Sequence, residues 1–378
     1  MSKVLLGDVI KEVKSNVDRE NHPYEYYVAG DHMDTEELHI SRRGSFFEPP
    51  EPGPAFIRLF KPGQVLYGSR RTYLKKIAVA DFEGVCSNTT FVLESKDNKV
   101  FLQGLLPFLL YSERFTRFSI DNSKGSTNPY ILFSDLAKYE FSLPTLSQQE
   151  KIAKLLWVFN SVRNAYKKLL SATDSLIKSQ FIEMFGDPVT NPKGWEKKRL
   201  DQIATTRLGK MLDGKKQTGE DSYSYLANFN VQWFRFDLEN LRRMDFNAED
   251  QVEFSLENGD LLVCEGGEIG RCAIWRGELD KCFFQKALHR VRCNRSLCIP
   301  EYLSWVMYFK ATMSQFDGIV TGVTIAHLTG EKLKALEVQV PPLSLQTKFA
   351  AFVEQADKSK FVMLSGIKTA VLRYEGFI

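Results

Sequence analysis

Residues 143–153, LPTLSQQEKIA, come back at 340–350 as VPPLSLQTKFA. A Pro, a Leu two residues on, Ser, Gln, Lys and Ala recur at one spacing, Ala153 answering to Ala350 at an offset of 197. Behind the first copy, apolar residues follow in steps of three and four: Ile152, Leu155, Leu156, Phe159, Val162, Tyr166, Leu169, Leu170, Leu176, Ile177 and Phe181. Behind the second come Phe349, Val353, Ala356, Met363, Leu364, Ile367, Val371 and Tyr374. That period predicts a helix with one apolar stripe. Ser147 is the expected N-cap of the first, with Glu150 completing a capping box, and Gly186 and Pro188 stop it. Its roughly 38 residues would span about 57 Å. The second helix reads weaker, since Ser344 has no acidic partner three residues on and Gly366 interrupts it. Two long helices with one apolar face each bury those faces most simply on one another, as an antiparallel coiled-coil hairpin.

The repeat reaches further. Leu6-Gly-Asp-Val-Ile10 is echoed by Leu200-Asp-Gln-Ile203, and Gly63-Gln-Val-Leu66 by Gly259-Asp-Leu-Leu262. Lys124-Gly-Ser-Thr127 is echoed by Thr321-Gly-Val-Thr324. The chain therefore reads as two copies of one unit of about 190 residues, an internal pseudo-twofold repeat of a globular part followed by a long helix. The expected division is a globular domain over 1–142, a helix over 143–186, a second globular domain over 187–339 and a second helix over 340–378.

Short strand-like runs at Tyr24–Gly30, Phe56–Phe60, Val65–Tyr67, Ile77–Ala80 and Thr89–Leu93, broken by Pro- and Gly-rich turns, make the globular parts α+β. Phe101 to Phe118 reads as helix broken at Pro107. With 43% hydrophobic residues and 28 Phe, each part can bury a core. The N-terminus is charged by Lys3, Asp8 and Lys11 before any apolar run forms, and the run Phe101–Tyr111 is too short to span a bilayer. The expectation is a cytoplasmic protein with no membrane segment.

Six cysteines, five of them between Cys264 and Cys298, form no C-x-x-C pair and read as free thiols rather than a metal site. No nucleophile elbow, H-E-x-x-H, acidic nuclease cluster or N-P-P-Y-like methyltransferase motif is present, so the chain is expected to recognise rather than catalyse. Net charge is only +3, so nucleic-acid binding would have to come from local patches. Two such patches lie in the first half: Ser69-Arg70-Arg71-Thr72-Tyr73-Leu74-Lys75-Lys76 and the polar loop Lys124-Gly-Ser-Thr127-Asn128-Pro-Tyr130. Arg70, Arg71, Lys75, Lys76, Lys124, Thr127 and Asn128 are the candidate DNA contacts there. In the second half they are Lys210, Lys215, Lys216, Arg242 and Arg243. Cations hold phosphates or read guanine, and Asn can read adenine. The bland alternative for each patch is a solvated turn. The glycine-rich stretch 259–271 lacks a P-loop ending and reads as a hairpin between strands at 259–264 and 271–275.

Four of these segments together resemble the specificity (S) subunits of type I restriction–modification enzymes. LPTLSQQEKIA and VPPLSLQTKFA are similar to the starts of that family's two spacer helices, and FGDPVTNPKGWEKKRL at 185–200 to its helix exit and second half. GDLLVCEGGEIGRCAIW at 259–275 is similar to a strand–turn–strand of its target recognition domains. The resemblance implies two target recognition domains, each reading one half of a split site in double-stranded DNA, held apart by a coiled-coil ruler. It implies two modification (M) subunits carrying AdoMet and the adenine methylation chemistry. Restriction (R) subunits would use ATP and Mg, and the chain itself would hold no cofactor and have no catalysis of its own. A methylase-only or type IIB-like system is the variant within the family. A coiled-coil adaptor whose globular ends bind protein is the alternative outside it.

Overall fold

The protein is described by a computed structural model covering residues 2–375, apart from 20, 36, 215–216 and 317–326; the side chains of Ser2 and 366–375 are not described. It divides into two compact units, Met1–Lys168 with Met363–Ile378, and Leu169–Val362. The division cuts both long helices, Leu146–Phe185 and Leu343–Glu375.

In unit 1 the strand Ser2–Leu5 pairs antiparallel with Glu140–Leu143. The main sheet has the order Ile10–Glu12, Thr90–Ser95, Val65–Gly68, Ile77–Val79. A second sheet orders Gly44–Ser45, Tyr26–Val28, Gly84–Ser87 and Phe56–Phe60, with Val28 beside Cys86 in a parallel pair. Unit 2 repeats the edge pair and the main-sheet order, but its second sheet has three strands and Val231–Gln232 pairs with Arg235–Phe236 apart from it. Lys197–Arg199 pairs with Glu337–Gln339. Its main sheet runs Ala204–Leu208, Leu288–Cys293, Leu261–Cys264, Cys272–Ile274. Its second sheet runs Arg242–Asp245, Ser222–Leu226, Phe283–Phe284, with Leu226 beside Phe284 in a parallel pair.

The runs VLY and LLVC are apolar without alternation because their strands are covered on both faces. Val65 and Tyr67 face the core that holds Phe108, Ala153 and Leu156, whereas Leu66 faces the core between the two sheets with Val28, Phe60 and Val92. In unit 2, Leu261 and Val263 face the helices, and Leu262 and Cys264 face the second sheet. Period-two alternation of the strand sorts one sequence run into two cores.

Several local expectations are corrected. The first long helix begins at Leu146, and its cap is Thr145 rather than Ser147: the Gln148 N–H donates to Thr145 Oγ1 at 3.4 Å and the Thr145 N–H to Gln148 Oε1 at 3.0 Å. Ser147 therefore lies inside the first turn. The second helix begins at Leu343, directly after Pro341-Pro342, so Ser344 is no cap either, and the helix runs unbroken past Gly366. Proline 107 does not break a helix but sits in the first turn of Leu106–Tyr111, where its missing N–H costs nothing. The break comes at Ser112, whose hydroxyl caps Glu113–Asp121 by accepting the Phe115 N–H at 3.3 Å. The first long helix does stop at Gly186, at φ +78, and Trp195 folds back to donate to the Phe185 carbonyl at 2.8 Å.

Each long helix is locked at its start by a fully buried glutamine. Gln149 Oε1 accepts the Leu102 N–H at 2.8 Å, and its Nε2 donates to the carbonyls of Val100 at 2.9 Å and Pro144 at 3.0 Å. Gln346 does the same with the Ile299 N–H at 3.0 Å and the carbonyls of Leu297 at 3.0 Å and Pro341 at 2.8 Å. Every partner is shifted by the same 197 residues. Within unit 2 the helices pack in opposite directions: Phe349 meets Phe181 and Phe185 at ring distances of 5.4 and 5.5 Å, while Lys360 pairs with Asp174 at 2.7 Å.

Replacing Gln149 or Gln346 by Leu strands one buried N–H and two buried carbonyls, so each variant should lose about 2 kcal/mol or more. The two losses should match, and should add in the double variant because the sites share no partners. Denaturant unfolding of the three variants measures both; a loss under about 0.5 kcal/mol at either site would refute the lock.

Candidate nucleic-acid interface

The two patches singled out in the first half are stitched into one surface. Gly68 ends its strand by donating to the Lys76 carbonyl at 2.9 Å, which closes the turn 69–76. Ser69 donates its N–H to Thr89 O at 3.1 Å, and its own carbonyl accepts the Ile131 N–H at 2.9 Å. Arg71 donates to Pro129 O at 2.7 Å, and Lys124 and Tyr130 exchange bonds of 2.7 and 2.9 Å. Thr72 and Ser123 share a hydroxyl–hydroxyl contact of 3.4 Å. These bonds hold Arg71 and Lys75 at φ +50 and +46, a left-handed backbone that costs of order 1 kcal/mol or more per non-glycine residue and persists only when its surroundings impose it.

The cations of this surface fall into two classes. Arg70 and Arg71 are exposed, and neither guanidinium has a hydrogen-bond or ion-pair partner among the described residues. Thr127 and Asn128 are exposed beside them, as are Tyr73 (52%) and Tyr130 (39%), whose rings offer stacking faces. Lys75, by contrast, is tucked in, its side chain 12% exposed, ion-paired to Glu113 and lying 5.3 Å from the centre of the Tyr111 ring. The Lys76 ammonium donates to the Gly30 carbonyl. Lys124 pairs with Asp135 at 2.9 Å, a carboxylate that hydrogen bonds from Lys138 and then Lys124 hold below its usual range.

In unit 2, Arg242 is exposed with its guanidinium 5.0 Å over the ring of Phe229, itself 42% exposed. Sequence patterning offers no sign of that pair, because the residues sit on separate elements. Arg243 reaches back to the Ser222 carbonyl. Lys210 is enclosed: its ammonium is ion-paired to Asp250, bonds to the Asp245 carbonyl at 2.7 Å and lies 5.1 Å over Phe246. Lys215 and Lys216 lie outside the described residues. The glycine-rich stretch is the expected hairpin, with Leu261 opposite Ile274 and Val263 opposite Cys272. Gly270, at φ +80, admits no side chain, since a Cβ would stand 2.4 Å from the Phe316 ring.

Among the described residues no group of three or more His, Cys, Asp or Glu could hold a metal. Burial pushes the Cys86 thiol up to about 12 and Cys264 up to about 11, so neither is a nucleophile at neutral pH. Burial also holds the His289 imidazole below its ordinary value, and its Nε2–H donates to the Leu328 carbonyl at 3.0 Å. No described helix is long and apolar enough to cross a membrane.

Two predictions separate structural groups from free ones. Arg70→Ala and Arg71→Ala should leave thermal stability within about 0.5 kcal/mol, whereas Lys210→Ala, which abandons the Asp250 carboxylate in a half-buried site, should cost about 1–3 kcal/mol. The second concerns His289. The folded protein disfavours its protonation while the unfolded chain takes up a proton near pH 6.5, so its contribution is complete above about pH 6.5 and is lost as pH falls below it. Unfolding followed from pH 8 down to pH 5 should show that decline, and His289→Gln should flatten it.

A family model described as the type I restriction modification DNA specificity domain matches residues 58–171 and 192–373. Over 185 residues the chain is 24% identical to the specificity subunit of the type I restriction enzyme EcoDI of Escherichia coli, covering 47% of this chain and 39% of that one. Over 172 residues it is 27% identical to the MjaIX specificity subunit of Methanocaldococcus jannaschii, covering 40% and 38%. The matched stretch is thus under two fifths of either relative's length. The type I restriction-modification S subunit of M. genitalium shares the fold, at a TM-score of 0.61 and 13% identity, over 100% of this chain and 94% of that one. A chain from a structure describing complex assembly and conformational transition of the type I R-M system does so at 0.57 and 18%, over 100% and 96%.

Proposed function

The chain belongs to the family of type I restriction modification DNA specificity domains, and from that premise we propose that it is the DNA-recognition subunit of such a system. Each unit reads one half of a split site in double-stranded DNA. The observation that carries this reading is the junction of 69–76 with 124–130, which sets two unpartnered guanidinium groups, two exposed tyrosines, Thr127 and Asn128 on one rigid surface. Arginines in such a place hold phosphates or read guanine, and rings stack. In unit 2, the exposed Arg242 guanidinium over the Phe229 ring is the group we assign to the second half-site.

The shared sheet order and the paired glutamine locks support reading the chain as an internal pseudo-twofold repeat. The opposed packing in unit 2 supports an antiparallel coiled coil. A 40-residue helix is about 60 Å long, near two turns of DNA at roughly 34 Å each, and in this proposal the helices set the gap between half-sites. Two M subunits, which bind AdoMet and methylate adenine, assemble on the chain, and R subunits join through the complex with ATP and Mg. The chain itself holds no cofactor and performs no chemistry, and it works in the cytoplasm.

Methylated-base sequencing of DNA from cells carrying the chain and its M subunit should give two short blocks around a fixed gap. Exchange of residues 1–142 should change one block only; no new methylation by an assembled complex would overturn the proposal. In binding titrations against salt, the double variant Arg70→Ala, Arg71→Ala should lower the slope of log affinity on log salt by nearly 2, since each phosphate contact contributes about 0.9. It should leave the second block's preference unchanged.

A further inference from the structure

The turn that carries Arg70 and Arg71 has a structural twin in unit 2, and the twin is acidic. Cys264 donates to the Arg271 carbonyl at 2.8 Å as Gly68 does to that of Lys76. Glu265 donates to Ala287 O at 2.9 Å and accepts the Leu328 N–H at 2.7 Å, as Ser69 does with Thr89 and Ile131. Arg271 donates to the Asn228 carbonyl at 3.1 Å as Lys76 does to that of Gly30. The two turns therefore hang from matching bonds, although the second is one residue shorter, and the residues that follow Ser69 and Glu265 are Arg70-Arg71 in one and Gly266-Gly267 in the other.

The side chains of the twin point to a different chemistry. Its cation, Arg271, is committed to Asn228 and, at 3.2 Å, to Glu268. Glu268 also accepts from the Trp233 indole. Glu265 is left over: half-buried, held at both its N–H and its carbonyl, and with no hydrogen-bond or ion-pair partner for its carboxylate among the described residues. His289, whose charged form the Glu265 carboxylate favours, is held below its ordinary value by burial, and its Nε2–H is taken by the Leu328 carbonyl. A carboxylate only accepts hydrogen bonds, and one whose backbone is fixed at both ends and which has no protein donor is open to an incoming donor. It repels phosphate. Cytosine and adenine present an exocyclic amine in the major groove, whereas guanine and thymine present only acceptors there.

Resting on the reading of unit 2 as a half-site reader, we propose that Glu265 is a specificity-determining residue that selects an amino-bearing base, cytosine or adenine, at one position of the second half-site. The same turn thus grips the backbone in unit 1 and reads a base edge in unit 2.

Sequence selection from a pool of random duplex DNA, with the full chain and its M subunits, tests this. Every base pair carries one such amine, so the wild type should fix the strand orientation of one base pair of one block, with cytosine or adenine always on the same strand. Glu265→Gln, which keeps the shape but can also donate, should weaken that preference about tenfold at that position alone. Glu268→Gln, on the same turn but already tied to Trp233 and Arg271, should leave it intact. An unchanged motif with Glu265→Gln, or an equal loss with Glu268→Gln, would overturn the assignment. Failure of the wild type to enrich any split motif would instead overturn the reading of the chain as a DNA reader.

Discussion

Both units are built around a glutamine where the long helix begins. Helix starts leave N–H groups open, and the loops that lead into this corner, 97–102 and 294–299, bring further buried backbone groups that no sheet or helix can pair. Glutamine suits the corner because one amide supplies an acceptor and two donors at the end of a flexible stem. Gln149 and Gln346 use them to join three separate stretches of chain: the strand-to-helix junction, the loop before the short helices, and the long helix itself. A charged residue there would bury an unpaired charge, and an apolar one would orphan three backbone groups. The helix direction, and hence the placement of each globular part on its helix, follows from that joint.

Elements fixed by local pattern were legible in the sequence. The strand at 65–68, the hairpin around 264–272, the stop at Gly186 and the length of the first helix all depend on residues within a few positions of one another. The likeness of the two helix entries is legible for the same reason, since Gln149 in 143–153 and Gln346 in 340–350 meet matching backbone groups. The helix starts were misplaced by two residues or less, because Thr145 and Ser147 each precede a Gln or Glu by three and only packing selects between them. Which cations are free was not legible. Lys75 finds Glu113, Lys124 finds Asp135 and Lys210 finds Asp250, partners 11 to 40 positions away. A charge run records the number of cations and says nothing of which are already committed.

The two units also carry different chemistry on matching hydrogen-bond frames. Gln64 accepts the Lys61 N–H at 2.8 Å and donates to Glu94 at 2.9 Å. Its counterpart Asp260, 1% exposed, accepts the Glu257 N–H at 2.7 Å and takes both arms of Arg292 at 2.7 and 2.8 Å. The amide–acid pair of one unit has become an acid–guanidinium pair in the other. Both versions satisfy the same turn, and the fully buried carboxylate is tolerable only because the bidentate guanidinium and the N–H saturate it.

That exchange bears on recognition. A turn whose shape rests on backbone bonds constrains its outward side chains very little, so Arg70-Arg71 and Gly266-Gly267 can occupy one frame without cost to the sheet beneath. Side chains that close the frame are not free in this way: Lys76 and Arg271 both carry a cation to a main-chain carbonyl, and the second unit has kept the charge while changing the residue. The outward positions can then change without disturbing the sheet beneath. The drift between the globular middles and the constancy of their hydrogen bonds are two consequences of the same construction.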